Sequence, residues 1–211
     1  NDSYYQTSKL IFSNAVPAFD KLKSIRSIAN TIIGICYYIR SNPSDDVMIE
    51  ILRKQTYILI GHYDKNSSDD WKWFEELLAY DNAILPLSLL HAAEILSDDK
   101  VREVAVASMD FLSGLTLSEG YLSIIGNDKW HKIKEERSKY AQQPLDAMAM
   151  VLMYHQAFRL TKDKEYLKKL FTSFMWFLGE NDLRMSLFDF ETNGCCDGLE
   201  SYGVNRNQGA E

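Results

Sequence analysis

The chain has 211 residues, 46% hydrophobic and 25% charged, proportions that fit one globular domain with its own core and exclude a disordered chain. Thirty acidic against 23 basic residues leave a formal net charge of −7, which argues against a nucleic-acid partner or an anionic membrane surface. Four prolines and ten glycines over this length favour helices over many short strands.

In chain order, Ile25, Ile28, Ala29, Ile32, Cys36 and Ile39 form the apolar face of a first helix, closed by the turn cluster Ser41-Asn42-Pro43-Ser44. Ser44 then reads as the cap of a helix over about 45–62. Leu85, Leu89, Ala92, Ala93 and Leu96 mark a third helix, expected over 82–96. Val101, Val104, Ala105, Ser108, Phe111 and Leu112 mark a fourth. Residues 120–126 carry the pattern of a short hairpin strand inside a loop. Leu145, Met148, Leu152, His155 and Phe158 give a fifth helix, and Leu167, Leu170, Phe171, Phe174, Phe177 and Leu178 a sixth. The fold class is therefore all-α.

The helices repeat. His91, Ala93, Leu96, Asp99 and Lys100 recur 64 residues on as His155, Ala157, Leu160, Asp163 and Lys164. Each unit is a helix, a tight turn and a second helix ending at glycine, Gly114 and then Gly179. Repeated αα-hairpins of this kind build a solenoid or a closed (α/α) toroid. Residues 1–211 are expected to form a single domain of about seven helices. At a 64-residue step they form an incomplete arc, truncated at its C-terminus, with one flank open or covered by a neighbouring chain.

The connections over 115–143 and 180–207 are far longer than the usual few residues, which points to function rather than mere linkage. Each leads to a polar motif at the start of a first helix. Asn82 and Asp146 lie 64 apart, and Gln143 and Gln208 lie 65 apart. In an arc of hairpins all first helices run parallel, so their N-termini converge on one mouth with unpaired N–H groups and positive helix ends. Aromatic residues cluster before these starts. Amides, carboxylates and flat rings suit a carbohydrate, whose hydroxyls take planar polar partners and whose C–H faces stack on rings.

The motifs Trp71-Lys72-Trp73-Phe74-Glu75-Glu76, Leu78-Ala79-Tyr80-Asp81-Asn82-Ala83 and Leu85-Pro86 resemble those of a bacterial α/α-toroid domain. So do Gly126-Asn127 with Trp130, Gln142-Gln143-Pro144, and the run from Trp176 through Leu183. The segment from Gly194 to Glu211 completes the resemblance, which covers most of the chain after about residue 45. That domain occurs free-standing or appended to group 1 glycosyltransferases, and its fold is similar to six-hairpin glycosidases and sugar 2-epimerases. The resemblance implies a bacterial source, a carbohydrate context and a glycosyltransferase domain or chain as partner; it supplies no catalytic residues. Two departures stand out. Residues 132–139 are charged and lack glycine, and Tyr140-Ala141 stands where the pattern has an acidic residue before Gln142.

The leading expectation is a domain that binds a glycan at the mouth through Trp71, Trp73, Tyr80, Asn82, Asn127, Trp130, Gln142, Gln143, Asn205, Asn207, Gln208 and Glu211. One alternative is a glycoside hydrolase or sugar epimerase using Asp81, Asp146 and Asp197 as acid–base groups. Set against that, Asp81 reads equally as a helix cap, Asp146 as a first-turn charge and Asp197 as a turn residue. Glu75 and Glu76 read as solvated, and His91 and His155, mid-helix, as packing groups. Another alternative is a structural interaction module whose mouth is filled by its own side chains. Cys195 and Cys196 lack a second ligand pair, and no phosphate-binding loop is present, so neither metal nor cofactor is expected. Three cysteines, an odd count, suggest a reducing, cytoplasmic compartment, and no apolar run approaches the ~20 residues of a membrane span.

Overall fold

A computed structural model describes residues 2–209; Asn1, Ala210 and Glu211 lie outside them, so the expectation on Glu211 is not addressed. Seven α-helices are present among the described residues: α1 (Asp2–Ala15), α2 (Ile25–Ser41), α3 (Asp46–Asn66), α4 (Ile84–Leu96), α5 (Asp99–Thr116), α6 (Pro144–Thr161) and α7 (Glu165–Met175). Short antiparallel ribbons join β1 (Leu77–Leu78) to β2 (His131–Lys132) and β3 (Gly198–Glu200) to β4 (Gly203–Asn205). The expected strand at 120–126 is absent. That stretch is largely buried and held by single backbone bonds, Ser123 N–H to Thr116 O at 2.8 Å and Gly126 N–H to Ser138 O at 2.8 Å.

The helices form two layers. In the first, α2 packs on α4 and α4 on α6; in the second, α3, α5 and α7 each back the helix that precedes them. This is a row of three αα-hairpins. Because α4 has a neighbour on both sides, every residue from Ile84 through Ala93 is buried, which is why its apolar character runs all round rather than along one stripe. No helix among the described residues is long and apolar enough to cross a membrane. The outer side of the last hairpin leaves Met148, Leu152, Phe171 and Phe174 exposed.

Helix ends explain why the polar motifs are available for other work. The cap of α3 is Asp45, whose carboxylate accepts the Met48 N–H at 3.0 Å, rather than Ser44. Asp98 caps α5 in the same way, through Val101. The cap position of α4 is Ala83, with no side-chain bond, so Asp81 does not cap that helix and stands two residues before the cap. The hairpin turns close on left-handed residues, Ser97 after α4 and Lys162 after α6.

Candidate functional site

The starts of α2, α4 and α6 share one polar centre. Arg26, in the first turn of α2, donates from Nε to the Tyr80 carbonyl at 2.6 Å and from Nη1 to Glu75 Oε2 at 2.9 Å. Its guanidinium lies 5.0 Å over the Tyr80 ring. Asn82 donates its backbone N–H to Asp146 Oδ1 at 3.4 Å, joining the approach to α4 with the first turn of α6. Arg26 was not anticipated. Its one signal in the sequence is a charge set beside the apolar positions Ile25, Ile28 and Ala29.

Burial sets the electrostatics of this centre. It pushes the Asp146 carboxyl up to about 7, an effect that nearby Asp81 reinforces and the Asn82 N–H opposes. Burial likewise raises Asp81, while Arg26 pulls it back. Asp146 Oδ2, Asp81 Oδ1, Asn82 Oδ1 and Arg26 Nη2 are all buried without a hydrogen-bond partner. Such groups are rare in native structures, because each forfeits hydration without replacing it. Asn82 and Asp146 line a cavity of about 10 Å³, shared with Thr116, Leu122 and Met150. That is room for about one water molecule, so no sugar ring fits beside Asp146 in this form.

Beside this narrow floor, the loop that leads into α6 forms an open platform. Asn127 Nδ2 donates to Gln143 Oε1 at 3.1 Å, and Trp130 Nε1 donates to Asn127 Oδ1 at 3.3 Å. The ladder thus runs from the cap of α6 to an indole that is 39% exposed. Tyr80 is 46% exposed, with its ring under the Arg26 guanidinium. The loop turns at Gly126, where a Cβ would sit 1.8 Å from the Tyr140 carbonyl oxygen, so only glycine permits this close approach. The Asn127 N–H then bonds to the Ala141 carbonyl at 3.0 Å.

Several expected ligand contacts are structural. Trp71 and Trp73 are 4% and 0% exposed, with rings packed against Phe111 at 5.2 and 6.2 Å, so no ring face is left for a sugar. Gln142 is fully buried as a strut: Oε1 accepts Trp176 Nε1 at 2.8 Å, and Nε2 donates to Asp182 Oδ2 at 2.6 Å and the Lys139 carbonyl at 2.7 Å. Asn82 is buried, with Nδ2 bonded to the Ala79 carbonyl at 3.1 Å.

Asp197 accepts the Gly209 N–H at 2.6 Å, and its own N–H faces the carbonyls of Asn205 and Asn207. Asn205 Oδ1 accepts the Asn207 N–H at 3.2 Å, and Gln208 Nε2 donates to Asp189 at 2.8 Å. Among the described residues none of these bonds reaches Asp81 or Asp146. The 180–207 connection folds back on itself and satisfies its own polar groups. It meets the mouth at Gln142, through the Asp182 carboxylate and through the backbone of Leu199, which exchanges bonds with Gln142 at 3.1 and 3.0 Å.

His91 belongs to a second polar cluster. His91 Nδ1 faces Arg40 Nη2 at 2.8 Å, and Arg40 and Gln156 both donate to Glu94, at 2.6 and 2.8 Å, tying α2, α4 and α6 together toward their far ends. Arginine only donates, so Nδ1 is the acceptor and the proton sits on Nε2. Burial, with Arg40 adding to it, pushes His91 down to about 4. Burial raises the Cys36 thiol to about 12 and raises Cys195 and Cys196 as well, conditions opposite to those that activate a nucleophilic thiolate. Among the described residues no three His, Cys, Asp or Glu side chains gather as a metal site.

No protein-family model and no curated protein matches the chain. Among solved structures it is similar to a sugar epimerase from a ruminal bacterium, with a TM-score of 0.63 and 12% identity. The match covers 88% of this chain and 48% of that one, so the chain spans about half that protein's length. The likeness is one of fold.

Proposed function

We propose that the chain is a carbohydrate-binding unit of helical hairpins, one domain forming part of an α/α ring, that holds a glycan across the open platform of its mouth. Trp130 and Tyr80 are the stacking faces, and Asn127 and Gln143 are the polar partners for hydroxyls. The observation that carries this reading is the hydrogen-bonded ladder Gln143–Asn127–Trp130, which presents a half-exposed indole beside two fixed amides. Rigid aromatic and amide groups bind without first losing much rotamer entropy. The fold likeness to a sugar epimerase supports a sugar as ligand, and association with a glycosyltransferase domain or chain follows from the motif resemblance.

Tryptophan emission titrated with a panel of gluco-, manno-, galacto- and xylo-oligosaccharides tests the reading. A saturable change in the intact chain that Trp130→Ala abolishes is the expected result. Silence across the whole panel overturns the reading and favours an interaction module closed by its own side chains, for which the 10 Å³ floor speaks.

A second reading, a hydrolase or epimerase, takes its support from Asp146. A carboxyl raised to about 7 is present as both acid and base near neutrality, the condition for proton transfer. Catalysis would require the floor to open. Incubating reducing sugars in D₂O separates the cases: deuterium entering beside the carbonyl signals an epimerase, and new reducing ends from oligosaccharides signal a hydrolase.

A further inference from the structure

The 180–207 connection builds a concave surface of its own. A cleft of about 450 Å³ lies along Met185, Phe188, Phe190 and Glu191 and reaches Arg206, just past β4. Small-ligand sites occupy about 300–1,000 Å³, so the volume admits a sugar ring.

The walls are set by the loop's internal bonds. Phe188 bridges Cys195, and the Cys196 N–H bonds to the Leu187 carbonyl at 2.8 Å. Asp189 Oδ1 accepts the N–H groups of Glu191 and Thr192 at 2.8 and 3.3 Å, and its Oδ2 accepts Gln208 Nε2 at 2.8 Å. These donors, the two backbone groups first, hold Asp189 below the usual carboxylate range and leave it committed to the loop. Gln208, read from the sequence as ligand-binding, therefore braces the loop that walls the cleft, and Arg206 two residues before it lines the cleft itself.

What the cleft presents outward has the composition of a sugar site. The Phe190 ring is 74% exposed and stands edge-on to Phe188 at 4.9 Å, with a face open to a pyranose C–H surface. Glu191 is an exposed acceptor and Arg206 an exposed donor. Two carboxylates, Asp189 and Glu191, stand against one guanidinium, so the local balance favours a neutral sugar over an acidic or phosphorylated one.

We propose that this cleft is a second sugar site, taking one neutral pyranose unit independently of the Trp130 platform. The inference rests on the carbohydrate reading above, and its test separates the two. The chain carries ¹³C on its methionine methyls and ¹⁵N on its indoles, so that Met185 reports the cleft and Trp130 the platform. It is titrated with the β-1,4-linked disaccharides of glucose and of mannose and with a longer oligomer of each. The expected result is a saturable shift of both reporters. Phe190→Ala and Arg206→Ala, both exposed changes, should each weaken the Met185 response about tenfold, the loss of one stacking or hydrogen-bonding partner. A Trp130 response with Met185 silent overturns the cleft and leaves the platform. A Met185 response with Trp130 silent upholds the cleft and overturns the platform. Silence of both, or a Met185 shift that neither substitution alters, overturns the proposal.

Discussion

The backbone N–H of Asn82 and the Oδ1 of Asp146 meet at 3.4 Å although 64 residues separate them, the same step by which the hairpins repeat. Equivalent positions of successive units therefore touch at the starts of their first helices. Arg26 extends the contact to the unit before. The mouth follows from three helices starting at one level, each adding polar groups to a shared centre.

Asp146 makes stability depend on pH in a defined direction. Its folded value, about 7, lies above the ordinary 3.8, so between these values the folded state binds more protons than the unfolded one. Its contribution is complete below about pH 4 and is lost as pH rises through about 7. Asp146→Asn removes the titration while keeping an oxygen for the Asn82 N–H. Urea unfolding at pH 5 and pH 8 should show the variant gaining on the parent chain by on the order of a few kcal/mol between the two. An unchanged difference between the two proteins would show that Asp146 is ionised throughout.

His91 acts in the opposite sense. Its folded value of about 4 lies below the ordinary 6.5, so the unfolded state binds more protons between them, and stability rises with pH over that window. The imidazole signals of His91 should stay those of the neutral Nε2–H form down to about pH 5 in NMR. Titration near 6.5 would mean that the Arg40 contact is not made in solution.

The two kinds of tryptophan should separate under substitution. Trp73→Ala removes a fully buried ring and should cost about 3–5 kcal/mol in urea unfolding. Trp130→Ala removes a half-exposed ring and should cost less than about 1 kcal/mol while abolishing the glycan response. A stable Trp73→Ala chain that has lost glycan binding would place the sugar at the wrong ring.

Gln142→Ala leaves Trp176 Nε1 and an Asp182 oxygen without a common partner. Such a loss inside the protein should lower stability by about 2–4 kcal/mol. Thermal unfolding followed by circular dichroism measures it. A shift within error of the parent chain would mean that water replaces the amide at no cost.

Much of the fold was legible in the residues themselves. Apolar spacing located α2 through α7, and the 64-residue step set Asn82 and Asp146 at equivalent helix starts, though not their contact. α1 carried no such signal, since Tyr4, Tyr5, Leu10 and Ile11 remain exposed and no core-facing stripe results. The candidate site was legible only in part. Trp71, Trp73 and Trp130 all sit in loop sequence, and only tertiary packing on Phe111 distinguishes the first two from the third. Gln142 and Gln143 are adjacent, yet one faces Trp176 and the other Asn127, because the extended backbone before α6 points neighbouring side chains to opposite sides. Asp197 shared the composition of the mouth but not its place, because the long connection bonds to itself. Arg26 went unread because its partners lie 49 and 54 residues away.

The most direct measurement is a crystal structure of the chain grown with the oligosaccharide that changes its tryptophan emission most. The account predicts a sugar ring stacked on Trp130, with hydroxyls on Asn127 and Gln143 and Tyr80 alongside. A glycan bound elsewhere with the Trp130 ladder bare, or an empty platform at saturating concentration, would contradict it.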